Sequence, residues 1–263
     1  MVIDTHTHLL PERLARAIRR FFEEHLGANA FTYPLEPEGA RVHLAAAGVR
    51  RCWTLPYAHK PGMASGLNRW MAETFSKDAL FIPGATLHPE DDVPRVLDEA
   101  LGELGLRVVK LHCSVGAYSP EDPRLEPLWR RVSDGGQPVV VHAGKAVDGT
   151  TAEDEVESIG RVAEKWPDAR IVIAHCGAPA VRTALDVLRR TRSACADLTP
   201  VITRLVPLQA EDIAGLERRL LFGSDMPNTL VTLEDAIAHV KGWGLPPEHE
   251  AAILGGNAAR LVP

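Results

Sequence analysis

The stretch Val2-Ile3-Asp4-Thr5-His6-Thr7-His8 decides the fold, because it combines a strand with metal-binding residue types. Val2 and Ile3 predict the start of a buried strand. Side chains alternate between the two faces of a strand, so we expect Asp4, His6 and His8 to point the same way. Two imidazoles on one face can supply two ligands of a metal site. A His-x-His pattern also occurs by chance, so the stretch alone leaves that question open.

Short apolar segments recur along the rest of the chain, and six of them end in His or Asp. The predicted strands are Arg51–Leu55, Leu80–Leu87 before His88, Leu106–Leu111 before His112, Pro138–Val141 before His142, Ile171–Ala174 before His175, Ala194–Ala196 before Asp197, and Leu220–Gly223 before Ser224-Asp225. From His88 onwards the end residues are 22 to 33 residues apart, which leaves room for one strand and one helix. The predicted helices are Pro11–Leu26, Glu38–Ala47, one reaching Lys77, Val93–Leu104, Leu125–Val132, Glu153–Trp166, Pro179–Arg190, most of Val201–Leu216, and three beginning at Leu233, Pro247 and Asn257.

Eight strands alternating with helices predict an α/β fold with a parallel sheet that is covered on both faces. The 263 residues are close to the roughly 250 of a (β/α)8 barrel. We therefore expect one domain, residues 1–263, that forms a single TIM-type barrel, regular or distorted. An open doubly wound sheet is the alternative, but Thr7-His8-Leu9-Leu10-Pro11 is unlike its glycine-rich phosphate loop.

Composition limits the partners and the compartment. The net charge is −6 and there is no basic cluster, which argues against nucleic acid and anionic membranes as partners. Four dispersed cysteines without a C-x-x-C pair fit reduced thiols in the cytoplasm. Neither a signal peptide nor an apolar run of roughly 18 residues is visible. We expect a cytoplasmic protein that acts on a small molecule, and the sequence leaves a homodimer open.

The strand ends of a barrel meet at the face where barrel enzymes keep their active sites. Alternation places His142 on the face of Val140 and His175 on the face of Ile173. One such histidine could be a hydrogen-bonded core residue, but a set of them with Asp225 favours a metal site. Neutral imidazoles with one carboxylate suit Zn²⁺ best, and iron, manganese or cobalt also fit.

Five segments carry a specific combination of residues: His6-Thr7-His8, Val141-His142-Ala143, Ala174-His175-Cys176-Gly177, Phe222-Gly223-Ser224-Asp225-Met226-Pro227 and Gly256-Asn257-Ala258-Ala259-Arg260-Leu261. Together they resemble the amidohydrolase superfamily, in its amidohydrolase 2 branch of aminocarboxymuconate-semialdehyde decarboxylase-like enzymes. The resemblance covers nearly the whole chain. It implies a distorted (β/α)8 barrel, one divalent metal held by His6, His8, His142 and Asp225, and a catalytic role for His175 beside the metal.

Lys110 stands near the position where some superfamily members carry a carboxylated lysine that bridges two metals. It shares a face with His112, so both side chains could reach the pocket. Lys110 could instead pair with a buried carboxylate, or clamp a substrate carboxylate or phenolate. We favour the clamp, because this branch is usually mononuclear. Lys110, His112 and His88 are the candidate substrate-binding residues, although His88 could equally be a turn residue before Pro89.

The predicted chemistry follows from the metal, which can lower the pKa of bound water from about 15.7 to about 7. Asp225 would accept the proton of that water, and His175 would donate to the oxyanion or the leaving group. This predicts a hydrolase of an amide, ester or lactone in a small, carboxylate-bearing molecule. The alternatives are a decarboxylase of an aromatic or unsaturated carboxylic acid, which shares every ligand, and a catalytically inactive metal-binding barrel.

Three further residues receive weaker assignments. Asp4 could support His6 from behind or begin a turn. Asp197 lies near the expected pocket without an assigned role. Asn257 is expected to cap the last helix.

Overall fold

The computed structural model describes residues 1–27, 31–144, 150–199 and 208–262. The strands are β1 (Val2–Thr7), β2 (Val49–Thr54), β3 (Phe81–Thr86), β4 (Val108–Leu111), β5 (Val139–Val141), β6 (Ile171–Ile173), β7 (Cys195–Asp197) and β8 (Leu220–Leu221). They follow one another around a single parallel sheet in chain order. This order is that of a (β/α)8 barrel, so the fold class predicted from the sequence is confirmed.

The backbone that follows β8 closes the barrel against β1. Thr5 N–H donates to the Phe222 carbonyl oxygen at 2.9 Å, and Asp225 N–H donates to that of His6 at 2.8 Å. His8 N–H donates to the Met226 carbonyl oxygen at 2.7 Å. The first and last strands therefore bring His6, His8 and Asp225 to one edge.

The helices surround this sheet. They are α1 (Glu12–Leu26), α2 (Pro37–Ala46), α3 (Ala64–Phe75), α4 (Val93–Leu97, continued by the π-helical Asp98–Glu103), α5 (Cys113–Gly116), α6 (Glu126–Gly135), α7 (Ala152–Lys165), α8 (Val181–Arg190), α9 (Leu233–Gly242), α10 (Pro247–Ala251, continued by the π-helical Ala252–Gly256) and α11 (Asn257–Leu261). Short 3₁₀ turns cover Pro123–Leu125, Ala174–Gly177 and Glu217–Arg219. In the described part of the chain, no helix has both the length and the apolar character to cross a membrane.

β-Branched residues build the strands and fill two layers. Their stiff side chains fit a pleated surface that is buried on both faces. Val108, Val140 and Val172 belong to the cluster inside the barrel. Val139 and Ile171 belong to the layer that packs against the helices. The alternation expected from the sequence therefore holds within the strands.

Two predicted features of the chain differ in the structure. Residues 201–207 of the predicted helix Val201–Leu216 lie outside the described residues, and residues 208–216 form turns instead of a helix. Asn257 does not act as a helix cap. Its side-chain amide donates to the carbonyl oxygens of Glu217 and Leu220 at 2.8 and 2.7 Å, and so joins α11 to the start of β8.

Arg219 supplies donors where α8 ends. Its guanidinium donates to the carbonyl oxygens of Leu188, Thr191 and Ala194. Leu188 is in the last turn of α8, whose carbonyl groups have no partner within the helix, and Thr191 and Ala194 lie between α8 and β7. The arginine therefore pairs backbone oxygens at the helix end and in the segment that follows it.

We expect Arg219→Ala to lower the free energy of unfolding by about 1–3 kcal/mol, because charged donors are lost from partly buried carbonyl groups. Thermal unfolding followed by circular dichroism should show a Tm lower by roughly 2–10 °C. The control is Arg218→Ala, which removes an adjacent, exposed arginine. An equal fall in Tm for both variants would refute the role given to the three bonds.

Candidate metal centre and active site

Acceptors at the ends of β7 and β2 fix the orientation of two buried imidazole rings, those of His6 and His8. Nδ1 of His6 lies 2.8 Å from Asp197 Oδ2, and Nδ1 of His8 lies 2.7 Å from the carbonyl oxygen of Leu55. Both partners are acceptors, so each Nδ1 carries the proton and donates it. The Nε2 atom of each neutral ring is left with a lone pair.

These two Nε2 atoms face each other at 3.1 Å. Neither has a proton to donate, so the contact is not a hydrogen bond, and it is repulsive unless a cation is shared. Two nitrogen ligands at about 2.0–2.1 Å from one tetrahedral zinc ion are separated by about 3.3 Å. The donor set of this pair therefore fits a common divalent metal.

Asp225, in the loop after β8, adds a carboxylate to the pair. Its Oδ1 lies 3.4 Å from His8 Nε2 and 3.8 Å from His6 Nε2. Ligand atoms of the three residues lie within 4.8 Å of one another. Asp225 has a left-handed backbone with φ of 63°, which costs a non-glycine residue roughly 1–2 kcal/mol. The neighbouring Gly223 allows close packing, because a Cβ there would lie 2.9 Å from His6 Cβ.

Asp4 joins the two segments that carry these ligands. Its Oδ1 accepts from the N–H groups of His6 and Ser224 at 3.0 and 3.1 Å, and its Oδ2 accepts from Ser224 Oγ at 2.6 Å. Asp4 pairs with Cys52 and Thr7 with Thr54, so the register of β1 shifts between Asp4 and Thr7. This bulge interrupts the alternation expected for Asp4, His6 and His8. Asp4 therefore supports the ligands from behind instead of joining them.

Asp197, at the end of β7, has the role that sequence reasoning did not find. It is fully buried, and besides its bond to His6 its Oδ1 accepts from the N–H groups of His175 and Thr199 at 2.9 and 3.2 Å. Desolvation raises the pKa of Asp197, whereas His175, Lys110 and the backbone N–H groups lower it. A carboxylate behind a metal-binding imidazole fixes its tautomer and orientation. Its place at a strand end marked the position, but its partner could not be read from the sequence.

The ring of His175 is directed towards His6 by a turn in the backbone, and not by the alternation of side chains along β6. Ile173, which was expected to share its face, packs towards the helices. The turn Ala174–Gly177 has φ of 57° at His175 and 44° at Cys176, which redirects the ring. His175 Nδ1 donates to the Thr199 carbonyl oxygen at 2.6 Å, and the ring centroid lies 4.7 Å from that of His6.

His142 is connected to His6 and His8 through the ring of His175. Its Nδ1 lies 3.2 Å from His175 Nε2, and its ring stacks on that of His112 with centroids 3.8 Å apart. Because His175 already donates from Nδ1, its Nε2 accepts from His142 Nδ1. His142 is not in the close group of His6, His8 and Asp225, so its role as a fourth metal ligand stays a prediction.

Lys110 places a buried amine beside the ligand group. Its side chain is fully buried, and its Nζ lies 3.3 Å from His6 Nε2. Desolvation lowers the pKa of Lys110 to about 8, although Asp197 and Asp225 act in the opposite direction. Its use as a substrate clamp stays a prediction, and the alternative of a carboxylated lysine stays open.

A row of aromatic rings adjoins the ligands, and it includes one residue that sequence reasoning missed. The Tyr57 ring lies 5.3 Å from that of His8 and 5.0 Å from that of His112, centroid to centroid. Since His112 stacks on His142, these four rings form a continuous wall. Tyr57 follows the end of β2 by three residues, so the strand-end rule applied to β2 could have found it.

His88 has backbone partners of its own. Its Nε2 donates to the Gly116 carbonyl oxygen at 3.1 Å, and its Nδ1 accepts from Glu90 N–H at 3.3 Å. Among the contacts given by the described residues, none joins His88 to the ligand group. The structure uses it as a turn residue, and a substrate-binding role stays a prediction.

Burial keeps the imidazoles of the site neutral. Desolvation holds the pKa of His6, His112, His142 and His175 well below the usual value, and lowers that of His8 to about 3. The charge of Lys110 lowers each of them further. Metals bind neutral imidazole, so the electrostatics keep the rings in the ligand form.

Comparison with known proteins assigns the chain to a family. The sequence profile of Amidohydro_2, described as amidohydrolase, matches residues 3–263. The chain belongs to the amidohydrolase family. No curated protein matches the chain.

Solved structures share the fold of this amidohydrolase. An uncharacterised TIM-barrel protein from Bordetella bronchiseptica has 24% identity and a TM-score of 0.80, over 99% of this chain and 98% of that one. A 2,6-dihydroxybenzoate decarboxylase complexed with 2,6-dihydroxybenzoate has 14% identity and a TM-score of 0.79, over 99% and 98%. A 5-carboxyvanillate decarboxylase from Novosphingobium aromaticivorans, complexed with manganese and 4-hydroxy-3-methoxy-5-nitrobenzoic acid, has 14% identity and a TM-score of 0.77, over 99% and 95%. The amidohydrolase superfamily depends on divalent metals, and His6, His8 and Asp225 offer this member a site for one.

We expect this amidohydrolase to bind one divalent metal ion per chain. A metal at 100 times its Kd stabilises the native state by about 2.7 kcal/mol, so removal by a chelator should lower the Tm by roughly 5–10 °C. The double change His6→Ala and His8→Ala should abolish both the metal content, measured by mass spectrometry of the digested protein, and the shift. Changing the exposed His43 to Ala should leave both unchanged. Absence of stoichiometric metal from the wild type would support an inert barrel.

We expect Asp197→Asn to weaken metal binding about 10–100-fold, because His6 loses the carboxylate that fixes its tautomer. Competition with a chromophoric chelator measures the affinity. Asp186→Asn, on the exposed face of α8, is the matched control. Equal affinities of Asp197→Asn and wild type would contradict the role assigned to Asp197.

Proposed function

We propose that this protein is a metal-dependent decarboxylase of a small aromatic or otherwise conjugated carboxylic acid. The observation that carries the proposal is the buried Lys110, whose Nζ lies 3.3 Å from His6 Nε2. A divalent metal and an ammonium group side by side would carry more positive charge than the two nearby carboxyl groups, Asp197 and Asp225, can balance even when both are ionised. Buried charge is costly unless it is paired, so an anionic substrate suits the site.

The ring wall supports a flat substrate. His8, Tyr57, His112 and His142 present consecutive ring contacts beside the ligand group. Offset or edge-on ring contacts favour a planar, conjugated partner. Two structural relatives that are named as decarboxylases act, by their names, on hydroxylated or methoxylated aromatic acids, which agrees with this substrate class.

A divalent metal held by His6, His8 and Asp225, with His142 as the predicted fourth ligand, would supply a Lewis acid for the substrate oxygens. Zn²⁺ suits the imidazole-rich set, and manganese, iron and cobalt suit it as well. Lys110 Nζ would donate a hydrogen bond to the substrate carboxylate or to a neighbouring phenolate. This bond would fix the position of the substrate beside the metal. Tyr57 and His112 would hold the plane of the ring.

Asp225 would supply the proton that replaces the carboxyl group. It would contact the metal through one carboxyl oxygen while the other oxygen carries the proton, which it would deliver to the carbon that bears the substrate carboxylate. The bond from that carbon to the carboxylate then breaks, its electron pair restores the conjugation, and CO₂ leaves. Asp225 remains as a carboxylate and takes a new proton from solvent, which reaches 27% of its side chain.

Hydrolysis of an amide, ester or lactone is the second candidate. It is favoured by the same exposure of Asp225, which lets a water molecule reach a base at the centre. In this reaction His175 would donate to the oxyanion or the leaving group. His175 Nε2, however, accepts from His142 and His175 Nδ1 is bonded to Thr199, so this role requires His175 to take up a proton first. That requirement ranks hydrolysis below decarboxylation.

We expect the metal-loaded enzyme to release CO₂ from a hydroxybenzoate or an unsaturated acid in a panel that also contains esters and lactones. Gas analysis and proton NMR of the decarboxylated product measure the reaction. Lys110→Met should lower kcat/KM about 10–100-fold, because a hydrogen bond to a charged group contributes roughly 1.5–3 kcal/mol. Lys241→Met, exposed on α9, should behave as wild type.

If the enzyme hydrolyses esters or lactones and releases no CO₂, the decarboxylase proposal is wrong and the protein is a hydrolase. Equal kcat/KM for Lys110→Met and wild type on an active acid would remove the substrate clamp and the charge argument that rests on Lys110, and the decarboxylase would then stand on the measured CO₂ release alone.

A further inference from the structure

The loop that carries Asp225 is held from outside the barrel. The left-handed backbone of Asp225 is unfavourable by itself, so its neighbours must maintain it. Asn228 N–H donates to the Asp225 carbonyl oxygen at 3.1 Å and closes a tight turn. The position of Asn228 therefore bears directly on the direction of the Asp225 side chain.

Arg19, on α1, forms hydrogen bonds to this turn through two different nitrogens. Its Nε donates to Asn228 Oδ1 at 3.0 Å, and its Nη2 donates to the carbonyl oxygen of Pro227 at 3.1 Å. The same Nη2 donates to the carbonyl oxygen of Tyr33 at 2.9 Å. The guanidinium also lies over the Phe31 ring, 5.0 Å from its centroid. The side chain is thus fixed by four contacts and is partly removed from solvent.

The far end of the same loop is held by Tyr33. Its hydroxyl accepts from Leu233 N–H at 2.7 Å, where α9 begins. Arg19 holds the loop at 227–228 and also binds the Tyr33 backbone. Arg19 lies on α1, the helix that follows His8. It therefore links the segment that carries His8 to the loop that carries Asp225.

We propose that Arg19 is a positioning residue that sets how Asp225 meets the metal; this rests on the proposed ligand role of Asp225. The Arg19 guanidinium acts through Asn228, over a chain of two hydrogen bonds, and does not touch the ligand group itself. A lysine cannot form the same hydrogen bonds, because one ammonium group cannot occupy the Nε and Nη2 positions together.

The rival explanation is that Arg19 only stabilises the fold. In that case its replacement lowers the Tm but leaves the metal site of the folded protein unchanged. Arg16 provides the matched control, because it lies on the same helix but pairs with Glu12 at the surface. Arg16→Lys makes the same chemical change as Arg19→Lys without touching the loop.

The test compares wild type with Arg19→Lys, Asn228→Ala, their double variant, Arg16→Lys and Asp225→Asn. Zn²⁺ affinity is measured by competition with a chromophoric chelator, the visible spectrum is recorded for the Co²⁺-loaded protein, and the Tm is measured without metal. We expect Arg19→Lys to weaken Zn²⁺ binding about tenfold, the low end for groups that support a ligand, and to change the Co²⁺ absorption. Asn228→Ala should act in the same direction. The double variant should be no weaker than the worse single one, because both changes break one linkage.

Arg16→Lys should match wild type in Zn²⁺ affinity and in the Co²⁺ spectrum. A lower Tm for Arg19→Lys with unchanged Zn²⁺ affinity and an unchanged Co²⁺ spectrum would overturn the inference while leaving Asp225 as a ligand. If Asp225→Asn itself leaves Zn²⁺ affinity and the Co²⁺ spectrum unchanged, the proposed ligand role fails, and the inference fails with it.

Discussion

The 3.1 Å contact between His6 Nε2 and His8 Nε2 is the constraint on which the rest of the site depends. It follows from two hydrogen bonds on the opposite side of the rings, to Asp197 and to the Leu55 carbonyl oxygen. These acceptors come from different strand ends, so the barrel itself selects the tautomers. Two opposed lone pairs in a buried site are unfavourable, and a shared cation turns the same geometry into an attractive one. The fold therefore holds two imidazole lone pairs in the arrangement that the predicted metal site requires.

Barrel closure makes this geometry possible, because the ligands come from the two ends of the chain. His6 and Asp225 are separated by most of the sequence, yet the Asp225 N–H group bonds directly to the His6 carbonyl oxygen. Asp4 reinforces the same contact between β1 and the loop after β8, because it accepts hydrogen bonds from His6 N–H and from Ser224. Desolvation raises the pKa of Asp4 to about 7, and the hydrogen bonds from Ser224 and His6 oppose that rise. The closure of the barrel and the candidate metal centre thus share one set of hydrogen bonds.

The sequence predicted the barrel and the strand ends where polar groups gather, because β-α spacing and apolar periodicity are local properties. It could not predict how single side chains turn at those ends. Strand alternation fails at Asp4 because of the bulge in β1, and at His175 because of a left-handed turn. Asp197 and Tyr57 were not assigned roles, because their partners lie on other strands. These features depend on backbone geometry and on contacts between distant residues, which periodicity does not record.

Four histidines of the site follow one rule: each donates from Nδ1 to a fixed acceptor. His6 donates to Asp197, His8 to Leu55, His175 to Thr199 and His142 to His175. In each neutral ring the lone pair is then on Nε2. For His6 and His8 the Nε2 atoms face the carboxylate of Asp225, and for His175 the Nε2 atom is used to orient His142. His142 therefore keeps its own Nε2 available as a ligand, so it can join the metal without any change of tautomer.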